Sequence, residues 1–399
     1  MRPDFSIIIV VILAAGSVLA AEAPELKANS EFPGGSARVQ AIDQKERSIQ
    51  ILPAERKDRG WVCWWYFKLE GIQPGETITL DVGGGVWAQP QRAVYSLDNE
   101  TWTHTEPGKL VKGRMIYKQK VDAKEAWFAW GPAFTAKHAQ ALVDSAAKTC
   151  SDAHAFELIK SADGRPCPAL RITGSKDEKP FGVWISARQH AWESGGSWVC
   201  KGLVDWLVSD DARAVALRKK AVLTIVPVMD IDDVELGAGG KGRVPNDHNR
   251  DWCDEPHWPE VRAAIAEIKR LNAAGTFDFF VDLHNPGAGD RSPYFYTSAK
   301  TELSQRAFTN LQTFLSCAKD EIGGPLKFLG RTLEDGPTYD KNWKKISKNW
   351  VYANTAPHVT AVTLETSWNV PESTQENYQR VGKELGLAIE KFLQPEIRK

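Results

Sequence analysis

The feature that most constrains the fold is a regular alternation, after residue 134, of buried strand-like runs with amphipathic helix-like segments. The runs are short and rich in β-branched or aromatic residues, whereas the segments between them repeat apolar residues at helical spacing. The clearest runs are FGVWISA, AVLTIVPVMD, FDFFVDLHN and VTAVTLETSW. This alternation predicts an α/β domain with a mixed, largely parallel sheet flanked by helices.

Residues 22–133 have a different sequence pattern, with short strand-like runs and no helix-like segments between them. Runs such as SIQILPA, CWWYFKLEG and ETITLDVGG alternate or are aromatic-rich, and turns rich in Gly, Pro and Asn separate them. This pattern predicts a small all-β sandwich domain. We therefore expect a β-sandwich domain over 22–133 and an α/β domain over 134–399.

The first 21 residues are typical of a signal peptide. An arginine precedes the apolar run Ile7–Ala15, and small residues follow, with Val18–Ala20 as the expected cleavage site. The run is short for a membrane span, although Asp4 weakens the basic start and leaves an uncleaved anchor as the alternative. We expect an exported protein, periplasmic or secreted, without stable membrane insertion after residues 1–21 are removed.

Charge and cysteine content narrow the range of partners. The formal net charge of −1 gives no reason to expect nucleic acid or an anionic membrane as a partner. The six cysteines are too widely spaced for a small disulfide scaffold and form no C-x-x-C zinc pattern. Export permits disulfides, and Cys150 and Cys167, which flank one predicted strand, are the best candidates for a pair.

Polar side chains follow the predicted parallel strands at the points where those strands end. In open α/β sheets, ligands bind beyond the carboxyl ends of the strands, so we expect these side chains to meet at one edge. They are His190, Glu193, Asn249, Arg250, His284 and Glu365.

A histidine and a glutamate three residues apart occur three times: His154/Glu157, His190/Glu193 and His257/Glu260. The first pair lies in or beside a strand, where an odd offset points the side chains to opposite faces. The third pair flanks Pro259 at a helix start, where Glu260 favours the helix dipole. Only His190 and Glu193 leave a strand into a Gly-rich turn that can bring both side chains inward.

Three protein ligands and one open position are typical of a catalytic zinc site. His284, at the end of an apolar strand, is the expected third ligand beside His190 and Glu193. Glu365 ends the apolar run TAVTLE, where an unpaired carboxylate would be costly. A general base beside a metal would explain its position, and a structural salt bridge is the alternative.

The motifs HAWES, DHNRDW, DLH and TLETSW, in this order, resemble those of the zinc carboxypeptidases, the funnelin metallopeptidases. The resemblance is closest to the cytosolic-carboxypeptidase-like branch, which also carries a β-sandwich before the catalytic domain. It implies a metallocarboxypeptidase that hydrolyses the C-terminal amide bond of peptides. The expected partner is a peptide with a free C-terminal carboxylate.

The resemblance assigns roles residue by residue. It implies one Zn²⁺ per chain with His190, Glu193 and His284 as ligands, and Glu365 as the general base. It also implies that Asn249 and Arg250 bind the substrate carboxylate, for which the planar guanidinium fork of arginine is well suited. Asp247 corresponds to the acid that orients a zinc-binding histidine.

Other positions stay open. Arg243 is the expected oxyanion stabiliser, with Lys241 as the alternative, and Tyr339 is the expected substrate-binding tyrosine, with Tyr352 as the alternative. Ala191 and Trp192 stand where the branch often has Pro-Gly, and Trp192 is expected to reshape the cleft wall without touching the ligands. Two other functions remain possible: a zinc amidohydrolase or N-deacylase of the aspartoacylase type, and an inactive exported binding protein.

Overall fold

A computed structural model describes residues 23–399 of the chain. The predicted signal peptide over 1–21 lies outside the described residues. Within the described range, no helix combines the length and the apolar character needed to cross a membrane.

The N-terminal part consists of ten strands in two five-stranded sheets. The strands are β1 Lys27–Asn29, β2 Arg38–Asp43, β3 Ser48–Leu52, β4 Tyr66–Glu70, β5 Glu76–Val82, β6 Val94–Ser96, β7 Thr103–His104, β8 Lys109–Val111, β9 Arg114–Val121 and β10 Glu125–Ala129. One sheet has the order β1-β4-β10-β6-β7 and the other β2-β3-β5-β9-β8. All pairs are antiparallel except β3 with β5.

Apolar side chains from both sheets fill one core. Ile78 and Leu80 of β5 are fully buried, as is Phe67 of β4 on the other sheet. The ring of Trp65, which precedes β4, lies 6.4 Å from the ring of Tyr117 on β9. The alternation of buried and exposed positions along β5 and β9 is the period-2 pattern of a half-buried strand. The predicted all-β N-terminal region is confirmed.

The remaining chain alternates helices and strands. The elements are α1 Ala136–Thr149, β11 Ala153–Lys160, β12 Pro166–Ile172, β13 Phe181–Ala187, α2 Ser194–Leu207, α3 Ala212–Lys220, β14 Ala221–Val226, α4 Ile231–Leu236, α5 Pro259–Ala273, β15 Phe277–His284, β16 Tyr294–Ser298, α6 Gln305–Glu321, β17 Thr332–Asp335, α7 Ser347–Asn354, β18 Thr360–Glu365 and α8 Gln375–Phe392.

Eight strands form one mixed sheet with the order β11-β12-β14-β13-β15-β18-β16-β17. The central strands β14, β13, β15 and β18 run parallel, whereas β12 and β16 join them antiparallel. Strands β13, β15 and β18 are buried along their whole length, as expected for parallel strands covered on both faces. The predicted α/β fold with its mixed sheet is confirmed.

Helices cover both faces, and the strand side chains alternate between two cores. On β13, Val183 and Ile185 belong to the core that α2, α6 and α8 cover. Trp184, between them, belongs to the core that α5 and α7 cover. The long continuous apolar runs in the sequence therefore reflect burial on both sides of the sheet.

The predicted pairing of Cys150 with Cys167 is wrong, because all six cysteines are free thiols. The two side chains lie in different cores, Cys150 in the one shared with α2 and Cys167 in the one shared with α5. The Cys167 thiol lies 3.4 Å from the carbonyl oxygen of Val228. The two cysteines flank one strand in sequence, but their side chains lie in separate cores and cannot pair.

Candidate active site

The predicted polar residues lie where the central parallel strands end. His190 and Glu193 occupy the turn between β13 and α2, and His284 is the last residue of β15. Glu365 is the last residue of β18 and is the direct register partner of His284. The sheet topology thus places residues that are far apart in sequence at one edge.

His190, Glu193 and His284 form a compact group of potential metal ligands. One ligand atom from each lies within 4.8 Å of the other two. The Glu193 carboxylate lies between the imidazoles, with Oε1 2.8 Å from Nδ1 of His190 and Oε2 2.6 Å from Nδ1 of His284. All three residues are only 2% exposed.

A carboxylate lies behind each imidazole. Oδ1 of Asp247 is 3.5 Å from Nε2 of His190, and Oδ2 of Asp282 is 2.6 Å from Nε2 of His284. A proton on Nε2, facing the carboxylate in each case, would leave Nδ1 of each ring free to bind a metal. Two such imidazoles and a carboxylate form a donor set that fits Zn²⁺.

The electrostatics of this group also favour a cation. Burial opposes ionisation of Glu193, but His190 and His284 outweigh it and hold the pKa of Glu193 below its usual range. Asp247 is likewise held ionised, because His190 outweighs its burial and lowers its pKa. Buried carboxylates at this density require positive charge nearby, which a divalent ion would supply.

The two other His/Glu pairs do not resemble this group. His154 and Glu157 are exposed on β11, and His257 is exposed ahead of α5. Among residues 23–399, only His190, Glu193 and His284 meet as a potential ligand group. The strand offset of the first pair and the helix start at the third therefore distinguish these pairs from His190 and Glu193, as the structure does.

Glu365 faces the same cleft without being part of the ligand group. It is 9% exposed, and its Oε2 has no hydrogen-bond partner among the described residues. Burial raises the pKa of Glu365 to about 7, with His284 and Lys241 opposing that shift and Glu193 adding to it. A carboxyl group that titrates near neutral pH can both accept and return a proton.

The structure does not bring Arg243 to the cleft, so its predicted role requires correction. Its guanidinium is buried, with Nη1 2.9 Å from Asp230 and 3.3 Å from Asp233, and it stacks 3.7 Å above the ring of Trp258. Lys241, the alternative, lines the cleft. Two acids and an aromatic face thus retain the arginine in the core.

Asn249 and Arg250 lie beside the cleft. Asn249 is buried, accepts a hydrogen bond from the Ser347 amide at 3.0 Å, and lies 3.3 Å from Nε2 of His284. Arg250 donates from Nε to Asp340 at 2.6 Å, and its guanidinium lies 5.9 Å from the ring centre of Tyr339. Neither side chain belongs to the cleft lining.

Tyr339 lines the cleft and is 47% exposed. Tyr352, its alternative, instead lines a separate small pocket with Trp343 and Asn349. The structure therefore favours Tyr339 over Tyr352 as a residue able to touch a substrate.

The cleft has a volume of about 270 Å³ and two aromatic groups in its walls. One group consists of the tryptophans Trp61, Trp87 and Trp192, and the other of the tyrosines Tyr294, Tyr296 and Tyr339. Glu193, Lys241 and Glu365 also line it. The space is sufficient for little more than one or two side chains, which suits a site that handles the end of a peptide.

Sequence reasoning missed several of these residues. Asp282 is two positions before His284 on the same strand, so their side chains share a face, and that spacing could have identified it. Tyr294 is the register partner of Glu365, which only the antiparallel pairing of β16 with β18 reveals. Trp61 and Trp87 come from the sandwich region, and no local pattern points to their place in the cleft.

Comparisons with known proteins agree with this geometry. The family model described as zinc carboxypeptidase matches residues 139–378, and that described as cytosolic carboxypeptidase N-terminal domain matches residues 28–130. Human cytosolic carboxypeptidase 6 is 31% identical over 283 residues, which cover 63% of this chain and 55% of the human protein. Mouse cytosolic carboxypeptidase 1 is 23% identical over 299 residues, covering 63% of this chain and 24% of the mouse protein. The match thus spans about half or less of these two curated relatives.

Solved structures share the fold along nearly the whole chain. A metallo-carboxypeptidase from Burkholderia cenocepacia has a TM-score of 0.78 at 21% identity, covering 92% of this chain and 99% of that one. A metallo-carboxypeptidase from Pseudomonas aeruginosa has a TM-score of 0.75 at 21% identity, covering 91% of this chain and 98% of that one. The sandwich and the α/β part therefore occur together in both structures.

Proposed function

The chain belongs to the zinc carboxypeptidase family, and we propose from this premise that it releases the C-terminal residue of peptides by hydrolysis. The observation that carries the proposal is the convergence of the ligand group His190, Glu193 and His284 with Glu365 at one small cleft. A zinc ion held there would polarise the scissile carbonyl and acidify a water molecule. No observation specifically favours the amidohydrolase alternative.

Glu365 is the proposed proton carrier. Its free Oε2 and its pKa of about 7 suit a group that accepts a proton from the attacking water and later gives it to the leaving amine. Asp247 and Asp282 do not touch the substrate. Asp282 contacts Nε2 of His284 at 2.6 Å and Asp247 lies 3.5 Å from Nε2 of His190, so both carboxylates favour a proton on Nε2 and leave Nδ1 of each ring available as a ligand.

Two cationic side chains are proposed to bind the substrate's charges. Lys241 lines the cleft, and its positive charge lowers the pKa of Glu365. Its ammonium group is therefore close enough to the reaction site to stabilise the developing oxyanion. Arg250 uses Nε for Asp340 and Nη1 for the carbonyl of Asn249, while its Nη2 makes no hydrogen bond to any described residue. That nitrogen, beside Tyr339, is the proposed contact for the C-terminal carboxylate.

The proposal predicts that a free C-terminus is required. A charge-assisted hydrogen bond contributes roughly 1.5–3 kcal/mol, so amidation of a good substrate should lower kcat/KM about 10- to 100-fold. Arg250→Ala should cause a similar loss on the free acid, and the two losses should not add, because both delete one contact. The measurement is steady-state hydrolysis of matched free and amidated peptides.

Glu365→Gln is the inactive control, expected to retain zinc while losing turnover. Equal cleavage of free and amidated peptides would exclude a carboxypeptidase. If acyl-amino acids were the better substrates, the deacylase alternative would replace it.

We also propose that the protein is exported. The support is the pattern of the first 21 residues, with a basic start, a short apolar run and small residues at Val18–Ala20. N-terminal sequencing of the protein purified from its native source should find a start close after Ala20. An intact Met1 in the purified protein would instead support the uncleaved anchor or a protein that is not exported.

A further inference from the structure

The tryptophans in the cleft wall come from both parts of the molecule. Trp61 and Trp87 precede α1 and belong to the sandwich region, whereas Trp192 lies between His190 and Glu193. The ring centres of Trp61 and Trp87 are 4.7 Å apart, and each lies within 6.4 Å of Trp192. We name Trp61, Trp87 and Trp192 the tryptophan wall.

Main-chain contacts fix this wall in place. The Trp61 amide donates to the carbonyl of Lys241 at 2.9 Å, and the Trp192 amide donates to the carbonyl of Gly239 at 3.1 Å. The carbonyl of Trp87 accepts a hydrogen bond from Nε1 of Trp130 at 2.8 Å. One loop thus holds the sandwich tryptophan Trp61 and the α/β tryptophan Trp192 side by side.

The wall and the tyrosines are separate aromatic groups in the cleft. The ring of Tyr296 lies edge-on to that of Tyr294 and tilted against that of Tyr339, with centres 5.4 Å apart in each pair, but no ring contact among residues 23–399 joins these three tyrosines to the tryptophan wall. Tyr339 neighbours Arg250, the proposed contact for the C-terminal carboxylate. Trp192 instead neighbours the metal ligand Glu193 in sequence, and Lys241 lies 5.4 Å above the ring of Trp61.

This arrangement defines the orientation in which a peptide substrate would lie in the cleft. With the C-terminal residue at the tyrosines and the scissile bond at Glu193 and Glu365, the chain on the amino side of that bond leads to the tryptophan wall. Trp61 and Trp87 are partly exposed there, whereas Trp192 is buried. The positive charge of Lys241, above the ring of Trp61, would repel a basic substrate side chain at the tryptophan wall.

We propose that the tryptophan wall binds the residue immediately before the scissile bond and selects a large apolar or aromatic side chain there. This inference rests on the proposed function and adds a substrate preference to it. Aromatic pairs gain from offset or edge-to-face packing as well as from burial, so an aromatic residue should benefit most. The sandwich would then determine specificity directly, through the two residues that it contributes.

The test compares N-acetylated peptides that share the best-released C-terminal residue and differ only in the residue before it. With the zinc-loaded full chain, Phe at that position should give roughly 10- to 100-fold higher kcat/KM than Gly, the range typical of apolar pockets. Trp87→Ala and Trp61→Ala should each reduce this ratio to a few-fold. Zinc content and circular dichroism establish that each variant is folded. Because two variants are made, the test still stands if one of them fails to fold.

Trp127→Ala is the matched control, because Trp127 is a partly buried sandwich tryptophan on β10 that lies under Lys68 and does not line the cleft. It should keep the full Phe-to-Gly ratio. A wild-type ratio near one, or an undiminished ratio in both cleft variants, would overturn the inference while leaving the peptidase intact. Failure to release a residue from any peptide would overturn the proposed function itself.

Discussion

At the residue scale, the site depends on what lies behind its ligands. Asp282 is fully buried and accepts hydrogen bonds from Ser186 at 3.0 Å and from Gln189, besides its contact with Nε2 of His284. Nε1 of Trp252 in turn donates to Gln189 at 2.7 Å. A chain of buried partners therefore fixes the ring of His284, and such partners tune metal affinity as well as geometry.

We expect Asp282→Asn to weaken zinc binding about 10- to 100-fold, because the amide cannot replace the charge that holds the proton on Nε2. Competition with a chelator measures the affinity independently of activity. His190→Ala should abolish stoichiometric zinc, and the exposed His154→Ala should leave it unchanged. Equal affinity of Asp282→Asn and wild type would show that the metal site does not need this carboxylate.

The sequence predicted the group of potential ligands better than the residues that support it. The ligand group could be inferred from strand ends, because parallel strands deliver their last residues to one edge whatever the loops do. Arg243 and Lys241 could not be separated, because the choice depends on Asp230, Asp233 and Trp258, whose proximity is decided by tertiary packing. Charge and spacing alone do not say which of two nearby cations is buried.

At the element scale, the loop between α4 and α5 carries Lys241, Asp247, Asn249 and Arg250 and is anchored by His248. The ring of His248 is buried, with Nδ1 3.6 Å from Asp230 and Nε2 3.5 Å from Glu260, and it stacks on Trp258 at 5.2 Å. Burial favours the neutral ring, but Asp230 and Glu260 outweigh it and raise the pKa of His248, while Arg243 opposes them. The His248 ring thus lies between Asp230, which precedes α4, and Glu260 in the first turn of α5.

This raised pKa predicts a dependence of stability on pH. A histidine with a raised folded pKa contributes stability below its unfolded value of about 6.5 and loses it as the pH rises through the folded pKa. Burial also raises the pKa of Asp233, to about 8, so its contribution declines with pH in the same direction. The free energy of unfolding of the zinc-loaded protein should therefore fall as the pH rises, through Asp233 between about pH 4 and pH 8 and through His248 above about pH 6.5.

His248→Gln should flatten that decline without removing it, since Asp233 still titrates. Denaturant titrations between about pH 6.5 and pH 9 measure the effect. His154→Gln, an exposed exchange, should follow the wild-type curve. Parallel curves for wild type and His248→Gln would show that His248 does not titrate with folding.

Elements were predictable from the sequence where one pattern dominated. The parallel strands and long helices stood out, whereas β9, β16 and β17 did not, because these strands mix polar and apolar residues along their length. Strand β9 reads RMIYKQKV and β17 only TLED. Their pairing with neighbours, rather than their own composition, makes them strands.

At the scale of the whole molecule, the sandwich and the α/β part share a continuous core. One cluster of buried apolar residues runs from Leu26 of the sandwich to Ile397 near the C-terminus. Hydrogen bonds also cross the junction, with Trp198 Nε1 donating to the carbonyl of Pro132 at 3.0 Å. Gly239 packs so closely on the main chain of Trp61 that a Cβ there would collide with the Trp61 carbonyl.

We expect the full chain to unfold in one cooperative transition, with tryptophan fluorescence and circular dichroism giving the same midpoint. Gly239→Ala should lower that midpoint, because the added methyl group separates the loop from the sandwich. Gly289→Ala is the control, since a Cβ at Gly289 meets only open space. Two separated transitions in the wild type would show that the two parts fold independently.

The division of the cleft between the two parts has a consequence for protein engineering. The ligand group and Glu365 belong to the α/β part, while Trp61 and Trp87 project into the same space from the sandwich. A library confined to the sandwich segments around these two tryptophans can therefore remodel the cleft while every residue proposed to carry the chemistry stays unchanged. Substrate preference can then be varied in one stretch of the gene, while the stretch that encodes the catalytic residues is kept constant.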